Sequence, residues 1–311
     1  MSVDYRNISR RGVLGAAAGI GGAAILPAAV GCAQQDKLIT RPIPSTGEQL
    51  PVIGLGTSRT FNAGDDQAKR ADLAKTLQAF FDNGGALIDS SPMYQSSETV
   101  VGDLMKEMTN VESYFAATKV WSDGKESGIE QMNESMRLMG VEVMDLMQVH
   151  NLREWQTHLA TLRDWKDQGK IRYIGITTSN GRAHEEFEQI IKTEELDFVQ
   201  FSYNIGNRVA EEYLLPLAQD RGQATLINRP YQRGELFARV EGKPLPEWAA
   251  EADIASWGQF FLKFILAHPA ATNIIPATSD MDHMIDNMGA GFGRVPDTVM
   301  RQHMIDYFDA I

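Results

Sequence analysis

Cysteine is nearly missing from this chain: one residue, Cys32, in 311. A single cysteine closes no internal disulfide and builds no multi-cysteine zinc cluster. Positive charge is also scarce. Lysine and arginine number 29 against 41 aspartates and glutamates, for a formal net charge of −12. A nucleic-acid surface needs clustered basic residues, so this balance argues against such a partner and for plain solubility. The six histidines are scattered, which leaves none of the clustered His and carboxylate ligands that a metal-dependent hydrolase or aldolase barrel would need. No internal repeat or second domain shows. What remains is a chain long enough for one large α/β barrel or two ordinary domains, with a core that needs no staples.

Residues 1–33 read as a targeting segment rather than as fold. Ser9-Arg10-Arg11 precedes a charge-free run from Gly12 to Ala33, rich in alanine and glycine. A twin arginine before a weakly apolar run resembles a Tat export signal. That implies the Tat machinery as a partner and a periplasmic or otherwise extracytoplasmic address. The run is long enough to span a bilayer, but its glycines and alanines make it a poor anchor. Ala29-Val-Gly-Cys32 suits a cut just before Cys32. The same four residues resemble a lipoprotein box, in which Cys32 would carry a lipid anchor; a small apolar thiol is the plain alternative. Residues 34–311 are then the folded domain.

Two apolar segments, 39–43 and 50–55, flank Pro44-Ser-Thr-Gly-Glu-Gln49 and read as a hairpin. Strand and helix patterns then alternate. Apolar strand candidates fall at 52–55, 86–88, 114–118, 146–149, 173–176, 198–201, 225–227 and 273–275. Helical spacing of apolar residues marks 66–83, 97–108, 128–139, 154–168, 183–191, 210–221, 254–267 and 280–288, with a terminal helix over 296–308. Eight buried strands, each followed by a helix, predict a single closed (β/α)8 TIM barrel behind an N-terminal β-hairpin. A doubly wound sheet usually offers fewer strands and a Gly-x-Gly-x-x-Gly turn; Gly54-Leu-Gly56-Thr-Ser-Arg has no third glycine.

Three of these strands end on polar groups. Asp89 closes the run beginning at Ala86, Lys119 follows Thr118, and His150 ends Asp145-Leu-Met-Gln-Val-His150. Tyr94 lies five residues past Asp89. A carboxylate at the end of a buried strand is costly unless something cationic meets it. In a barrel all four groups converge at the C-terminal mouth. Each alone has an ordinary structural reading, such as a helix cap or a satisfied core group; four together point to one site. A tyrosine is a poor acid at neutral pH, and a neighbouring ammonium favours its phenolate. Asp89 would hold Lys119, and His150 would orient a carbonyl. Hydride addition to that carbonyl, with Tyr94 protonating the developing alkoxide, fits the set.

Across nearly all of residues 38–310 the chain resembles the aldo-keto reductases. The matching stretches are Leu50-Pro-Val-Ile-Gly-Leu-Gly-Thr57, Leu87-Ile-Asp-Ser-Ser-Pro-Met-Tyr94, Thr118-Lys119, the strand ending in His150, and Gly169-Lys-Ile-Arg-Tyr-Ile-Gly175. The resemblance implies Asp89, Tyr94, Lys119 and His150 as the catalytic set. It also implies an NADP or NAD cofactor and a small-molecule carbonyl or alcohol substrate. Gly56 and Thr57 match the first-strand loop over the cofactor, and Gln200 the glutamine that binds the nicotinamide carboxamide. Thr177 and Thr178 stand for the family's Ser-Asn pair, with Ser179-Asn180 as the alternative. Asn228-Arg229-Pro230 replaces a stacking aromatic, for which Tyr231 or Arg229 would substitute. The Lys-Ser pair and the arginine that grip a 2′-phosphate become Ala277-Thr278 and His283, with Asp280 and Asp282 adding negative charge. This weakens NADP preference and makes NAD credible. Asn287 suits the adenine contact. The rival from another class is a family member that holds the cofactor as a regulatory subunit with little turnover.

Overall fold

The computed structural model describes residues 37–311, so the twin-arginine and Cys32 expectations lie outside the described residues. The chain first makes the expected hairpin, β1 (Thr40–Pro42) and β2 (Gln49–Pro51), paired antiparallel with Arg41 opposite Leu50. Gly47, at φ 77°, supplies the left-handed residue that its turn requires. Ile43 and Leu50 point into the barrel and pack with Phe115, Tyr173 and Phe198, at the starts of their strands. The hairpin therefore plugs the N-terminal end and leaves the opposite end as the mouth.

Eight parallel strands follow: β3 (Leu55–Gly56), β4 (Leu87–Asp89), β5 (Phe115–Val120), β6 (Met144–His150), β7 (Ile171–Thr177), β8 (Phe198–Ser202), β9 (Ala224–Asn228) and β10 (Asn273–Ile274). Each pairs with its sequence neighbour, in the order β10 to β3. A parallel bridge between Ile53 and Ile274 joins the two ends, and the Gly56 amide donates to Pro276 O at 2.9 Å. Gly56 is dictated by this seam, since a Cβ there would meet Ile275 O at 2.9 Å.

The helices are α1 (Gln67–Asp82), α2 (Ser97–Met105), α3 (Lys125–Met139), α4 (Trp155–Asp167), α5 (His184–Thr193), α6 (Leu214–Asp220), α7 (Glu235–Arg239), α8 (Trp257–Leu266), α9 (Met281–Gly289) and α10 (Thr298–Ala310). Two differ from the sequence expectation. The helix expected over 210–221 begins only at Leu214, after a separate 3-10 turn at Val209–Glu211. Pro216 has no N–H and fits only a first turn, so it fixes the start. The amphipathic helix expected over 254–267 is instead buried on every side from Gly258 to Leu266. The β9–α8 connection and α10 cover its outer face, through Trp248 against Phe260 and Phe308 against Phe261. Even Lys263 is buried there, donating to the carbonyls of Ala252, Phe292 and Arg294. That connection contains α7 and a 3-10 stretch at Glu247–Ala252.

Backbone strain is unevenly placed. Of the described non-glycine residues with positive φ, only Asn110 lies outside the strand-to-helix connections. Left-handed backbone costs a residue with a side chain on the order of 1–3 kcal/mol and gathers where a site over-determines it. Here it gathers at the mouth.

Candidate active site

The expected four residues meet at that mouth. Asp89 ends β4 and His150 ends β6, while Lys119 lies one residue before the end of β5. Tyr94 is the last residue of a 3-10 turn, Pro92–Tyr94, capped by the Ser91 hydroxyl, which accepts from the Met93 amide. The buried Lys119 ammonium donates to Asp89 Oδ2 and to Ser90 O, each at 2.6 Å. The other oxygen of Asp89 accepts from Gln148 Nε2 at 3.0 Å and Gln200 Nε2 at 3.1 Å. A carboxylate with this many donors is fully compensated, as burial requires. Lys119 Nζ lies 5.2 Å from the centre of the Tyr94 ring. The Tyr94 and His150 rings meet edge to face at 5.9 Å.

The electrostatics correct one sequence expectation. The Tyr94 hydroxyl is not driven toward phenolate. Burial pushes its pKa above the ordinary tyrosine value, and Lys119 and Ser58, which favour phenolate, only partly oppose this. In the protein alone Tyr94 is a firmly protonated phenol. Burial pulls the Lys119 ammonium down, but Asp89 and Tyr94 outweigh it and leave the pKa raised. Burial, reinforced by Lys119 and Arg182, drops His150 to about 3, so its ring is neutral at working pH.

The expected cofactor residues fall into two groups. Around the mouth, the Thr57 hydroxyl donates to Asp89 O at 3.0 Å and helps tie β3 to β4. Thr177 Oγ1 accepts from the Asn151 amide, and Thr178 Oγ1 donates to Arg182 O. Asn228 joins two strand ends, accepting from Ser202 Oγ and donating to Thr178 O. Arg229 donates to Asn180 Oδ1 at 3.1 Å, so both Thr177-Thr178 and the alternative Asn180 belong to this network. The second group lies at α9. Thr278 Oγ1 accepts from the Asp280 amide, and His283 is exposed. Asn287 Oδ1 accepts from the Tyr231 hydroxyl at 2.5 Å. Tyr231 is committed to that bond and to packing on Phe237 at 4.9 Å.

Four participants escaped the sequence reading: Ser91, Glu98, Gln148 and Asn151. Ser91 Oγ lies 3.0 Å from His150 Nδ1. Glu98, buried on α2, accepts from Thr118 Oγ1 at 2.5 Å. Gln148 carried a legible signal. It is a polar residue in an apolar strand, two positions before His150 and so on the same face.

A buried ammonium–carboxylate pair, a protonated phenol beside it and a neutral imidazole opposite make an acid–base site for a carbonyl oxygen. Residues 52–303 match the model of the Aldo/keto reductase family. Aldo-keto reductase YhdN of Bacillus subtilis (strain 168) is 30% identical over 233 residues, covering 68% of this chain and 66% of that protein. The NADH-specific methylglyoxal reductase of Escherichia coli (strain K12) is 26% identical, covering 66% of this chain and 71% of that protein. The fold matches the crystal structure of an aldo-keto reductase from Klebsiella pneumoniae in complex with NADPH. The TM-score is 0.71 at 21% identity, over 87% of this chain and 96% of that one. The chain belongs to the aldo/keto reductase family and is, with it, a nicotinamide-dependent oxidoreductase.

Proposed function

We propose that the chain reduces small aldehydes or ketones, with Tyr94 as general acid, Lys119 and Asp89 as its charge support, and His150 as the group that orients the carbonyl. The observation that carries this reading is the Asp89–Lys119 pair set beneath the Tyr94 ring. When bound, the reduced nicotinamide supplies the hydride. As the carbonyl oxygen gains electron density, the Tyr94 O–H gives it the proton, leaving a phenolate that the Lys119 ammonium stabilises. The neutral His150 ring hydrogen-bonds the same oxygen and holds it toward Tyr94.

The residues present fit a nicotinamide. Asn151 Oδ1, one residue past His150, is a buried acceptor with no donor among the described residues. A carboxamide N–H is a donor of the kind it needs. Gln148, Gln200 and Asn228 form a connected amide network beside it.

NAD suits the far end at least as well as NADP. A cavity of about 260 Å³ beside the start of α9 is lined by Asp72, Lys75, Asp280 and Asp282, with Ser279 and Met281. Lys75 is already paired with Asp72 at 2.8 Å. Asp280 caps α9 by accepting from the His283 amide at 2.9 Å, so a carboxylate already sits where a phosphate would seek the helix N-terminus.

The twin-arginine segment supports export of the folded enzyme by the Tat route, with a lipid on Cys32 if the lipoprotein reading holds. Replacing Arg10 and Arg11 with lysine should retain the protein in the cytoplasm; equal export of that variant sinks the address. The activity is tested by Tyr94→Phe. Carbonyl-dependent NAD(P)H oxidation should fall about 10²-fold or more, the usual scale of general acid catalysis, with nucleotide still bound. Undiminished turnover removes Tyr94 from its role. A wild-type protein that binds nucleotide yet reduces nothing would favour a cofactor-holding subunit.

A further inference from the structure

Eleven of the fifteen described arginines are anchored. Arg70 pairs with Asp103, Arg153 with Asp123 and Arg208 with Asp309, and the rest likewise hold carboxylates or backbone carbonyls. Four do not: Arg59, Arg182, Arg229 and Arg233 have no carboxylate within ion-pair distance among the described residues. All four stand at the barrel mouth, on the connections after β3, β7 and β9. Chance pairing would be easy in a chain of net charge −12, so their isolation together is a property of the site.

They form one cluster. Arg229 feels the charges of Arg233, Arg182 and Arg59, opposed by Glu235. Arg59, Arg229 and Arg233 sit at φ 70°, 52° and 61°, left-handed backbone that side chains adopt at a cost. Arg229 is braced by Asn180. The cluster also borders the reacting groups. The Arg182 charge bears on His150, and Arg59 follows Ser58, whose hydroxyl bears on Tyr94. Neighbouring cations that repel one another favour an anion set among them, and guanidinium forks match carboxylate and phosphate oxygens.

We propose that this arginine cluster selects the substrate: the enzyme takes a carbonyl compound bearing an anionic group, a carboxylate or a phosphate, which Arg182 and Arg59 grip beside His150 and Tyr94. The inference rests on the reductase reading and adds the substrate class to it. The competing anion is the cofactor's own phosphates, and the test separates the two.

4-Carboxybenzaldehyde and its methyl ester differ in charge but little in shape, and the ester, with the more electrophilic carbonyl, has the intrinsic advantage, so a preference for the acid reports recognition of its charge. The expected kcat/KM ratio favours the acid by about tenfold or more, the scale of one charge-assisted hydrogen bond. It should shrink as salt rises. In Arg182→Gln and Arg59→Gln, both at exposed positions, the ratio should collapse toward one. A wild-type ratio of one or below overturns the proposal. So does an undiminished ratio in variants whose NAD(P)H affinity, read by tryptophan fluorescence, has dropped, because the arginines then serve the cofactor. If neither aldehyde is reduced, the reductase reading fails separately. The anion site is then judged by binding of acid against ester to nucleotide-loaded protein, where equal affinity overturns it.

Discussion

Ser91 Oγ lies 3.0 Å from His150 Nδ1, and this contact sets which imidazole nitrogen faces the substrate. Ser91 accepts a hydrogen bond from the Met93 amide, so its own proton is free for Nδ1. With that proton given to Nδ1, this nitrogen is the acceptor and the ring proton resides on Nε2, where it can meet a carbonyl oxygen. Removing the hydroxyl frees the ring to choose the other tautomer.

Ser91→Ala should therefore lower kcat by about tenfold, the worth of roughly one hydrogen bond in the transition state. Nucleotide affinity should hold. Full kcat in this variant would show that the imidazole is oriented by packing alone.

The same histidine makes the fold sensitive to acid. Its folded pKa is about 3 against an ordinary value of 6.5. Between those values the unfolded chain binds a proton that the folded chain refuses. The contribution is fully present above 6.5 and is lost as pH falls toward 3. At pH 4.5 the loss is on the order of 2–3 kcal/mol for this group. His150→Asn should flatten the decline in urea-unfolding free energy between pH 6.5 and 4.5. An equally steep decline would assign the acid sensitivity to other groups.

Much of the fold and of the site is legible in the amino-acid sequence. The eight strands announce themselves because each is an apolar run bounded by turn residues, and Asp89, Lys119 and His150 because each ends such a run. Contacts that depend on side-chain direction are not legible. Nothing in Ser90-Ser91 says which hydroxyl turns to His150, and nothing local says that Asn151 leaves an oxygen without a donor. The burial of α8 is hidden for a related reason: what covers a helix is decided by distant segments, here the β9–α8 connection and α10. The isolation of the four arginines is a property of where carboxylates are absent, which the order of residues along the chain does not display. The raised Tyr94 pKa runs against expectation because the sequence shows its cationic neighbour but not its desolvation.

The Asp89–Lys119 pair is buried, with side chains 3% and 0% exposed. Breaking one partner strands the other in a low-dielectric site. Lys119→Met should cost about 3–5 kcal/mol, even though Gln148 and Gln200 still donate to Asp89. Lys119→Met combined with Asp89→Leu should lose less than the sum of the single variants, because the stranded charge is gone. Chemical denaturation of the four proteins measures this coupling, and strict additivity would mean that the pair is not a thermodynamic unit.

On the proposed reading, cofactor choice turns on the start of α9. The anion-attracting end of that helix is occupied by the Asp280 carboxylate, and His283, one turn on, is 76% exposed. A 2′-phosphate brought there would face Asp280 and Asp282, and the lysine lining that cavity, Lys75, is already paired with Asp72, whereas a ribose hydroxyl could donate to either carboxylate. NADH should accordingly bind at least as well as NADPH in the wild-type protein. Ala277→Lys with His283→Arg restores two cations, and Asp280→Ser keeps a capping oxygen while removing the charge. The triple variant should shift the ratio of affinities toward NADPH by about tenfold or more, the worth of one charge-assisted phosphate contact. Titration of both reduced nucleotides against tryptophan fluorescence reads this directly. A strong wild-type preference for NADPH would place the phosphate elsewhere, with Arg229 and Arg233 the first residues to replace.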